Sequence, residues 1–221
     1  MEIEIIRTKD GSHTLYTPRF DEVYHSRNGA MSESRHIFIN SGLEAFHQDE
    51  INVFELGFGT GLNAFLSWIY AASKEVRINY HGVELYPLSD DVISKINYPE
   101  MIPDHENKFK RLHEADWEKE IPLSPNFTLH KIKGSVLDLS LPSQSIDVVF
   151  FDAFSPDKQP ELWTMEVFKK VYDMLDPGGA LVTYCSKSAV RKNMQEAGLF
   201  VTKLQGPPGK RDMVRAFRPA D

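Results

Sequence analysis

The sequence predicts an α/β fold built on a mostly parallel, seven-stranded sheet with an antiparallel last strand. Short apolar runs of strand length alternate along the chain with segments whose apolar residues recur at helical spacing. Strand–helix–strand units of this kind form parallel sheets that helices cover on both faces. The last two predicted strands are separated only by the Gly/Pro-rich loop 206–209, so they should pair antiparallel at the sheet edge.

The composition indicates one domain spanning residues 1–221. The chain has 221 residues, of which 41% are hydrophobic, enough to bury a single core. It has one cysteine, Cys185, and shows neither a signal-peptide pattern nor an apolar run of membrane-spanning length. We therefore expect a cytoplasmic protein with no membrane partner.

The charge distribution is uneven. The net charge of −7 argues against a uniformly basic nucleic-acid binder, yet residues 187–218 contain eight Lys or Arg and only two acids. An anionic partner is expected to bind there. The alternative is that these cations only cover the edge of the last strands with solvated charge.

Residues 1–50 predict a β-hairpin followed by one or two helices. Alternating stretches at 2–8 and 13–17 flank Asp10-Gly11, a dipeptide that favours a hairpin turn. Apolar residues between 29 and 46 then recur at roughly helical spacing.

The remaining elements follow in order. Strands are predicted at 51–57, 77–84, 127–134, 146–152, 179–185, 199–204 and 212–217. Helices are predicted after Gly61, from about Pro87 and over 161–175, the last ending at Pro177-Gly178-Gly179. The charged stretch 98–125 breaks this rhythm and is predicted to be a helical insertion. Its His105 and His113 are expected at the surface, and no metal site is expected.

The strongest local motif is Glu-Leu-Gly-Phe-Gly-Thr-Gly at 55–61, which joins a buried strand to a helix. Glycines at this spacing permit a tight turn, close approach of a ligand and close packing of helix on strand. Dinucleotide-binding dehydrogenases share the pattern. Glu55, however, suits the ammonium of S-adenosylmethionine better than a pyrophosphate, which favours a Rossmann-like methyltransferase.

Three further positions lie at the ends of predicted strands. Glu84 ends the second parallel strand, where a carboxylate hydrogen-bonds a ribose diol; a solvated acid is the alternative. Ser135 and Val136 follow the third, where a class I methyltransferase holds adenine. Asp152 follows a continuously apolar strand and should face the cleft beside the transferred methyl group; a buried helix-capping aspartate is the alternative.

At this point a family resemblance becomes specific. The segments GFGTGLN (57–63) and FFDAFSPDKQPELW (150–163) resemble the methyltransferase half of the MnmC family, bifunctional bacterial enzymes that make 5-methylaminomethyl-2-thiouridine in tRNA. Residues 18–38 and 195–216 are also similar, and only 98–125 matches less well. The resemblance implies S-adenosylmethionine-dependent N-methylation of a 5-aminomethyl-(2-thio)uridine at the wobble position, in the anticodon region of tRNA.

The resemblance also implies roles for individual residues. On the cofactor side it places Glu55, Gly57, Phe58, Gly59, Gly61, Asn63, Glu84, Ser135 and Val136. Asp152 would be the catalytic residue facing the amine, inside a loop shaped by Phe154, Pro156, Lys158 and Trp163. Candidate contacts to tRNA phosphates are Lys187, Arg191, Lys192, Lys210 and Arg211, with Lys108, Lys110 and Arg111 as a second arm.

Two departures from the family pattern change the expectations. Ser135 stands where the family commonly has an acid, which affects the adenine contact. The sequence does not contain the flavin-dependent oxidase half, so we expect no FAD and a substrate amine supplied by another enzyme or route.

Three other functions compete with this one. A methyl- or aminopropyltransferase of the same fold could act on a small-molecule amine, which the acidic net charge favours slightly. A non-catalytic tRNA-binding subunit would fail to bind cofactor in a titration. A nicotinamide dehydrogenase would give a spectral change with nicotinamide cofactors.

Overall fold

The computed structural model describes residues 3–139 and 144–220. The chain opens with a three-stranded antiparallel sheet of β1 (Glu4–Arg7), β2 (His13–Thr17) and β3 (Glu22–Val23). The predicted hairpin is thus confirmed, and β3 extends it; Glu2, at the start of the predicted strand, lies outside the described residues.

A short helical segment connects this small sheet to the main one. It consists of α1 (Ala30–Ser34), a π-helical turn (Arg35–Asn40) and a 3-10 turn (Leu43–Ala45). The helical spacing between residues 29 and 46 therefore predicted the right kind of structure, with the helix broken into three short pieces.

The main sheet has eight strands in the order β10-β11-β9-β8-β4-β5-β7-β6. The central five, from β7 to β9, are parallel; β11 and β6 run antiparallel to their neighbours β9 and β7, and β10 pairs antiparallel with β11. The strands are β4 (Glu50–Leu56), β5 (Arg77–Glu84), β6 (Glu120–Ser124), β7 (Phe127–Lys133), β8 (Ile146–Phe151), β9 (Leu175–Thr183), β10 (Phe200–Gln205) and β11 (Asp212–Phe217).

The eighth strand, β6, corrects the prediction of seven strands and of a purely helical insertion at 98–125. This region forms α4 (Tyr98–Met101) and α5 (Glu106–Glu114) and then adds β6 to the sheet edge. The sequence of β6, EIPLS, hides the strand because it carries a charge and Pro122. Proline is compatible with an edge strand, and the register shifts between Pro122 and Ser124.

Helices cover both faces of the main sheet. They are α2 (Leu62–Lys74), α3 (Asp90–Ile93), α6 (Met165–Met174) and α7 (Ser188–Glu196). Neighbouring residues of β4 enter opposite cores: Val53 belongs to the cluster that contains Phe65 of α2, and Phe54 to the one that contains Phe168 of α6. The predicted stop at 177–179 was placed too late, since α6 ends at Met174 and Pro177-Gly178-Gly179 lie within β9.

Two features are absent from residues 3–139 and 144–220. None of their helices has the length and apolar character needed to cross a bilayer. Nor do three or more of their His, Cys, Asp or Glu side chains converge as a metal-binding group.

The carboxylate of Asp10 ties the hairpin loop to α1. It accepts hydrogen bonds from the backbone N of Ser12 at 3.0 Å, the backbone N of Ser32 at 2.9 Å and the hydroxyl of Thr8 at 2.8 Å. Burial opposes ionisation, but the hydrogen bonds from Ser12, Ser32 and Thr8 prevail and lower the pKa of Asp10 to about 2.

Replacing this carboxylate should destabilise the protein in a pH-dependent way. We expect Asp10→Asn to lower the free energy of unfolding at pH 7 by about 1–2 kcal/mol, as for hydrogen bonds to a charged group that is partly solvated. A depressed pKa contributes stability above the unfolded value near 3.8, and this is lost as the pH falls through about 2. Urea unfolding should therefore show that the variant's free energy of unfolding falls below that of the wild type by less at pH 3 than at pH 7. Asp91→Asn, at an exposed carboxylate, is the control; an equal deficit at both pH values would contradict this role.

Candidate active site

A cavity of about 440 Å³ opens where β4, β5 and β8 end. Ligands of open α/β sheets bind at this carboxyl edge, and the volume lies in the range of small-molecule sites. One side is formed by the strand-end loops. The other is formed by residues 20–27, Glu33 and Lys210, so segments from both ends of the chain meet over the sheet.

The glycine-rich loop at 57–61 forms the floor of the cavity. Gly57 has φ +94°, and a Cβ at this position would lie 2.6 Å from the carbonyl oxygen of Asp152. The backbone N of Asp152 in turn donates to the carbonyl of Leu56 at 3.0 Å. Only glycine allows the main chains of the loop and of the acid to approach so closely.

Glu84 is held against this loop. Its carboxylate accepts hydrogen bonds from the backbone N of Gly59 at 3.0 Å and of Tyr86 at 2.8 Å. Burial raises the pKa of Glu84. The acid therefore lies beside the glycine loop, as its position at the end of β5 predicts, rather than standing free in solvent.

Asp152 and Glu55 share one amide donor. The side-chain N of Asn63 donates at 2.8 Å to Glu55 and at 2.8 Å to Asp152, which bridges the two carboxyl groups. Burial, followed by the charge of Glu33, raises the pKa of Asp152 to about 7. Burial and the charge of Asp152 raise the pKa of Glu55 well above its usual range. Asp152 is thus poised to exchange a proton near neutral pH.

A second charged pair lies in the same cavity. The Lys210 ammonium lies 2.7 Å from the Glu33 carboxylate and 4.2 Å from the centroid of the Tyr184 ring. The Tyr184 hydroxyl donates at 2.9 Å to the carbonyl of Ala153, the residue after Asp152. Lys210, predicted as a contact to tRNA phosphates, lines the cavity because the turn 206–211 folds over it, and its side chain is 32% exposed.

The structure divides the residues predicted for cofactor and substrate into two groups. Ten of them line the cavity: Gly57, Phe58, Gly59, Asn63, Glu84, Ser135, Val136, Asp152, Phe154 and Lys210. The others lie outside the lining: Glu55, Gly61, Pro156, Lys158, Trp163, Lys187, Arg191, Lys192 and Arg211.

Three of the residues outside the lining have clear structural contacts. Glu55 is fully buried behind Asn63 and accepts a hydrogen bond from its side-chain N, so its predicted role at the cofactor stays a prediction. Trp163 is 3% exposed and its indole N donates at 2.8 Å to the carbonyl of Phe154, so it supports the loop from the core. Lys158 pairs at 2.9 Å with Asp21 of the N-terminal segment.

His113 was wrongly expected at the surface. Its ring packs edge-on against Phe58 and Phe109, with centroids 6.1 and 4.6 Å apart, and burial lowers its pKa to about 3. A Cβ on Gly61, which has φ +72°, would lie 2.9 Å from its Nε2. The histidine therefore supports the glycine loop from behind.

The N-terminal segment 20–27 forms one wall of the cavity, and most of its residues there could not be predicted from sequence patterns. Tyr24 packs on Gly59 and edge-on against Phe154, and His25 lies 3.0 Å through its Nε2 from the Thr60 hydroxyl. Burial lowers the pKa of His25 to about 4. The only signal for these residues was the family resemblance over 18–38, since no spacing within the segment indicates a ligand.

Comparison with known proteins assigns the chain to a family. Residues 100–219 match a family model described as S-adenosyl-L-methionine-dependent methyltransferase. Two curated relatives are tRNA 5-methylaminomethyl-2-thiouridine biosynthesis bifunctional proteins MnmC. The one from Nitrosospira multiformis is 28% identical over 93% of this chain and 35% of its own length. The one from Polaromonas naphthalenivorans is 31% identical over 99% and 36%. The chain thus spans about a third of the length of these relatives.

Solved structures support the same fold. MnmC2 from Aquifex aeolicus superposes with a TM-score of 0.80 at 28% identity, covering 100% of this chain and 72% of that one. Spermidine synthase from Thermotoga maritima gives a TM-score of 0.60 at 13% identity, covering 99% and 70%, a likeness of fold alone. The Rossmann-like class I methyltransferase fold is therefore confirmed.

The raised pKa of Asp152 has a consequence for stability. Because the folded protein binds this proton more tightly than the unfolded chain, stability declines as the pH rises from about 4 through the folded value of about 7. Asp152→Asn lacks this decline, so the excess of its free energy of unfolding over that of the wild type should grow by on the order of 2 kcal/mol between pH 5 and pH 8. Urea unfolding of both proteins at both pH values measures this excess. Asp157→Asn, at an exposed carboxylate, should show no such growth. An excess for Asp152→Asn that is no larger at pH 8 than at pH 5 would contradict the burial cost.

Proposed function

The chain belongs to the S-adenosyl-L-methionine-dependent methyltransferases, and on that basis we propose that it N-methylates the primary amine of a 5-aminomethyl-(2-thio)uridine at the wobble position of tRNA. The observation that carries this proposal is the buried carboxyl group of Asp152. It has a pKa of about 7, accepts a hydrogen bond from Asn63 and lies in the same cavity as the glycine loop. The names of the MnmC relatives support the tRNA substrate.

The cavity fits the cofactor on several counts. The side-chain oxygen of Asn63 is a buried acceptor without a partner among the described residues, which suits a donor such as the cofactor's ammonium. Gly57 and Gly59 line the cavity, Glu84 would hold the ribose, and Val136 would flank the adenine with Ser135. Glu55 would act through Asn63, by fixing the orientation of its amide.

Acidic groups dominate this end of the cavity. Asp152, Glu84 and Glu33 line it, and Lys210 is the cation closest to Glu33. Such a field favours ligands that carry positive charge, as both a sulfonium cofactor and an alkylammonium substrate do. A pyrophosphate would meet repulsion here, which distinguishes the site from that of a nicotinamide dehydrogenase.

The proposed chemistry is a single in-line displacement. The bound cofactor supplies an electrophilic methyl group on a sulfonium. Asp152 accepts a proton from the substrate ammonium, which frees the nitrogen lone pair, and a carboxylate with a pKa of about 7 is well matched to this step at neutral pH. Phe154 and Tyr24 cover the reaction space with aromatic surface and limit access of water.

The tRNA would lie across the cations near the rim. Lys187 pairs with Asp157 in the loop after Asp152, and Lys192 pairs with Glu196, both at exposed positions. Exposed pairs of this kind contribute little and can be exchanged for phosphates. In the proposed second arm, Arg111 donates at 2.7 Å to the carbonyl of Leu123 and Lys108 lies over the Trp68 ring, so these two side chains also have structural partners.

Removing the proposed base should affect turnover more than cofactor binding. We expect Asp152→Asn to lower kcat at least about 100-fold, the usual range for a missing general base, with S-adenosylmethionine affinity changed by no more than a few-fold. The pH dependence of kcat/KM should lose the limb that rises through about 7 in the wild type. Mass spectrometry of nucleosides from tRNA that contains 5-aminomethyluridine measures turnover, with Asp157→Asn as control; unchanged kcat would remove Asp152 from the mechanism.

Charge reversal on α7 tests the RNA surface. For each phosphate that the variant no longer neutralises, the slope of log binding constant against log salt concentration should become shallower by about 0.7–0.9. We expect this for Arg191→Glu with Lys192→Glu, and for Arg211→Glu, while kcat at saturating tRNA stays near the wild-type value. Lys119→Glu, in an exposed pair with Asp116 in the insertion, serves as control. If all variants kept the wild-type slope, the tRNA would bind elsewhere.

A further inference from the structure

The turn between β10 and β11 presents Lys210 in a fixed position. The backbone N of Gly206 donates to Arg211 at 3.1 Å and that of Lys210 to Pro207 at 2.9 Å. Gly209, with φ +88°, lies so close to Asn28 that a Cβ at this position would clash with the Asn28 side-chain N. The turn is therefore packed against the N-terminal segment, and Lys210 is held at the cavity while its neighbour Arg211 is exposed.

The partner of Lys210 is a buried carboxylate. The Glu33 side chain is 8% exposed, and its second oxygen accepts from the backbone N of Ser26 at 2.8 Å. The contact at 2.7 Å between Glu33 and the Lys210 ammonium lies outside hydrogen-bond geometry. The Lys210 side chain is 32% exposed, so the pair is buried only at its Glu33 end. Removing a carboxylate from water costs free energy that such a pair largely cancels, so its net contribution to stability is small. This pair therefore needs an explanation other than stability.

The Glu33–Lys210 pair lies in the same cavity as the proposed base and affects its pKa. Both residues line the cavity with Asp152, and their charges shift its pKa in opposite directions, Glu33 upward and Lys210 downward. An ammonium has three donors. Its contact with Glu33 is outside hydrogen-bond geometry and its contact with Tyr184 is with the ring, so donors remain for a ligand in the cavity.

We propose that Lys210 is a specificity-determining residue whose ammonium, positioned by Glu33, donates a hydrogen bond to the pyrimidine 4-carbonyl of the substrate. The inference rests on the proposed function. On the uracil ring this oxygen is attached to C4, and the aminomethyl group is attached to the neighbouring C5. A substrate whose amine lies at Asp152 therefore has its 4-oxygen in the part of the cavity that Asp152 and Lys210 share. Cytosine carries an amino group at this position instead of a carbonyl. Its N–H donors would face the N–H donors of the Lys210 ammonium, and no hydrogen bond could form between them. A site that hydrogen-bonds one group rejects the analogue that lacks it.

Discrimination between two bases provides the test. Synthetic anticodon stem-loops carrying 5-aminomethyluridine or 5-aminomethylcytidine are incubated with the protein and labelled S-adenosylmethionine, and kcat/KM is measured for each. The wild type should prefer the uridine. Lys210→Met should lower kcat/KM for the uridine about 10–100-fold, the value of a hydrogen bond from a charged donor, and leave the cytidine rate unchanged or higher. The preference should therefore collapse.

The variants are chosen to separate loss of binding from loss of folding. Lys210→Met leaves Glu33 buried without its cation, whereas Glu33→Gln with Lys210→Met removes both charges. The double variant should also lose the preference while keeping the wild-type circular dichroism spectrum. Lys119→Met, which removes a lysine from an exposed pair with Asp116, is the control and should keep both the uridine preference and the salt dependence of binding.

Two results would overturn the inference, and they can be told apart. If the wild type methylates the uridine but Lys210→Met keeps the preference and instead flattens the salt dependence, Lys210 is a phosphate contact and the inference is overturned while the function stands. If the wild type methylates neither stem-loop, the proposed function and the inference both fail.

Discussion

The contact between the main chains of Gly57 and Asp152 is the constraint on which the site depends. The strands β4 and β8 pair in parallel up to Leu56 and Phe151, and the chain after each strand turns into the cavity. Because Gly57 has no side chain, its Cα lies directly against the carbonyl of Asp152. The glycine loop and the acid are therefore placed relative to each other by the sheet itself. This contact fixes the distance between the residues proposed to bind the cofactor and the residue proposed to accept the proton, and reactions of bound partners depend on such fixed geometry.

The wall of the cavity is held differently from its floor. Side chains attach the N-terminal segment: Glu22 accepts from the backbone N of Ser155 at 2.9 Å, Asp21 pairs with Lys158, and Glu33 pairs with Lys210. An exposed pair such as that of Asp21 with Lys158 is weak compared with a continuous ladder of backbone hydrogen bonds. A floor fixed by the sheet and a wall attached by side chains suit the proposed reaction, in which one reactant would be a base on a large RNA.

The order of strands and helices could be predicted because each parallel strand and its helix carry a local pattern. The strand 77–84 and the acids at Glu84 and Asp152 were located correctly for this reason. The strand β6 could not be predicted from its short sequence, which contains Glu120 and Pro122, because its pairing with β7 and not its own composition makes it a strand. The positions of His113 and Lys210 depend on contacts with residues far away in sequence, Phe58 and Glu33, which no local pattern encodes.

The carboxylates around the cavity explain why the site is acidic although its proposed partner is an anion. Burial raises the proton affinity of Asp152, Glu55 and Glu84, so each ionised form costs folding free energy. The cost is offset only when positive charge occupies the cavity, which a sulfonium and an amine both supply. The cations proposed to contact the RNA backbone, Arg191 and Lys192 of α7 and Arg211 of the neighbouring turn, lie outside the cavity lining. Two separate charged regions would let one small domain attract an anion at its rim and select cations within, so the net charge of −7 does not contradict the proposed nucleic-acid substrate.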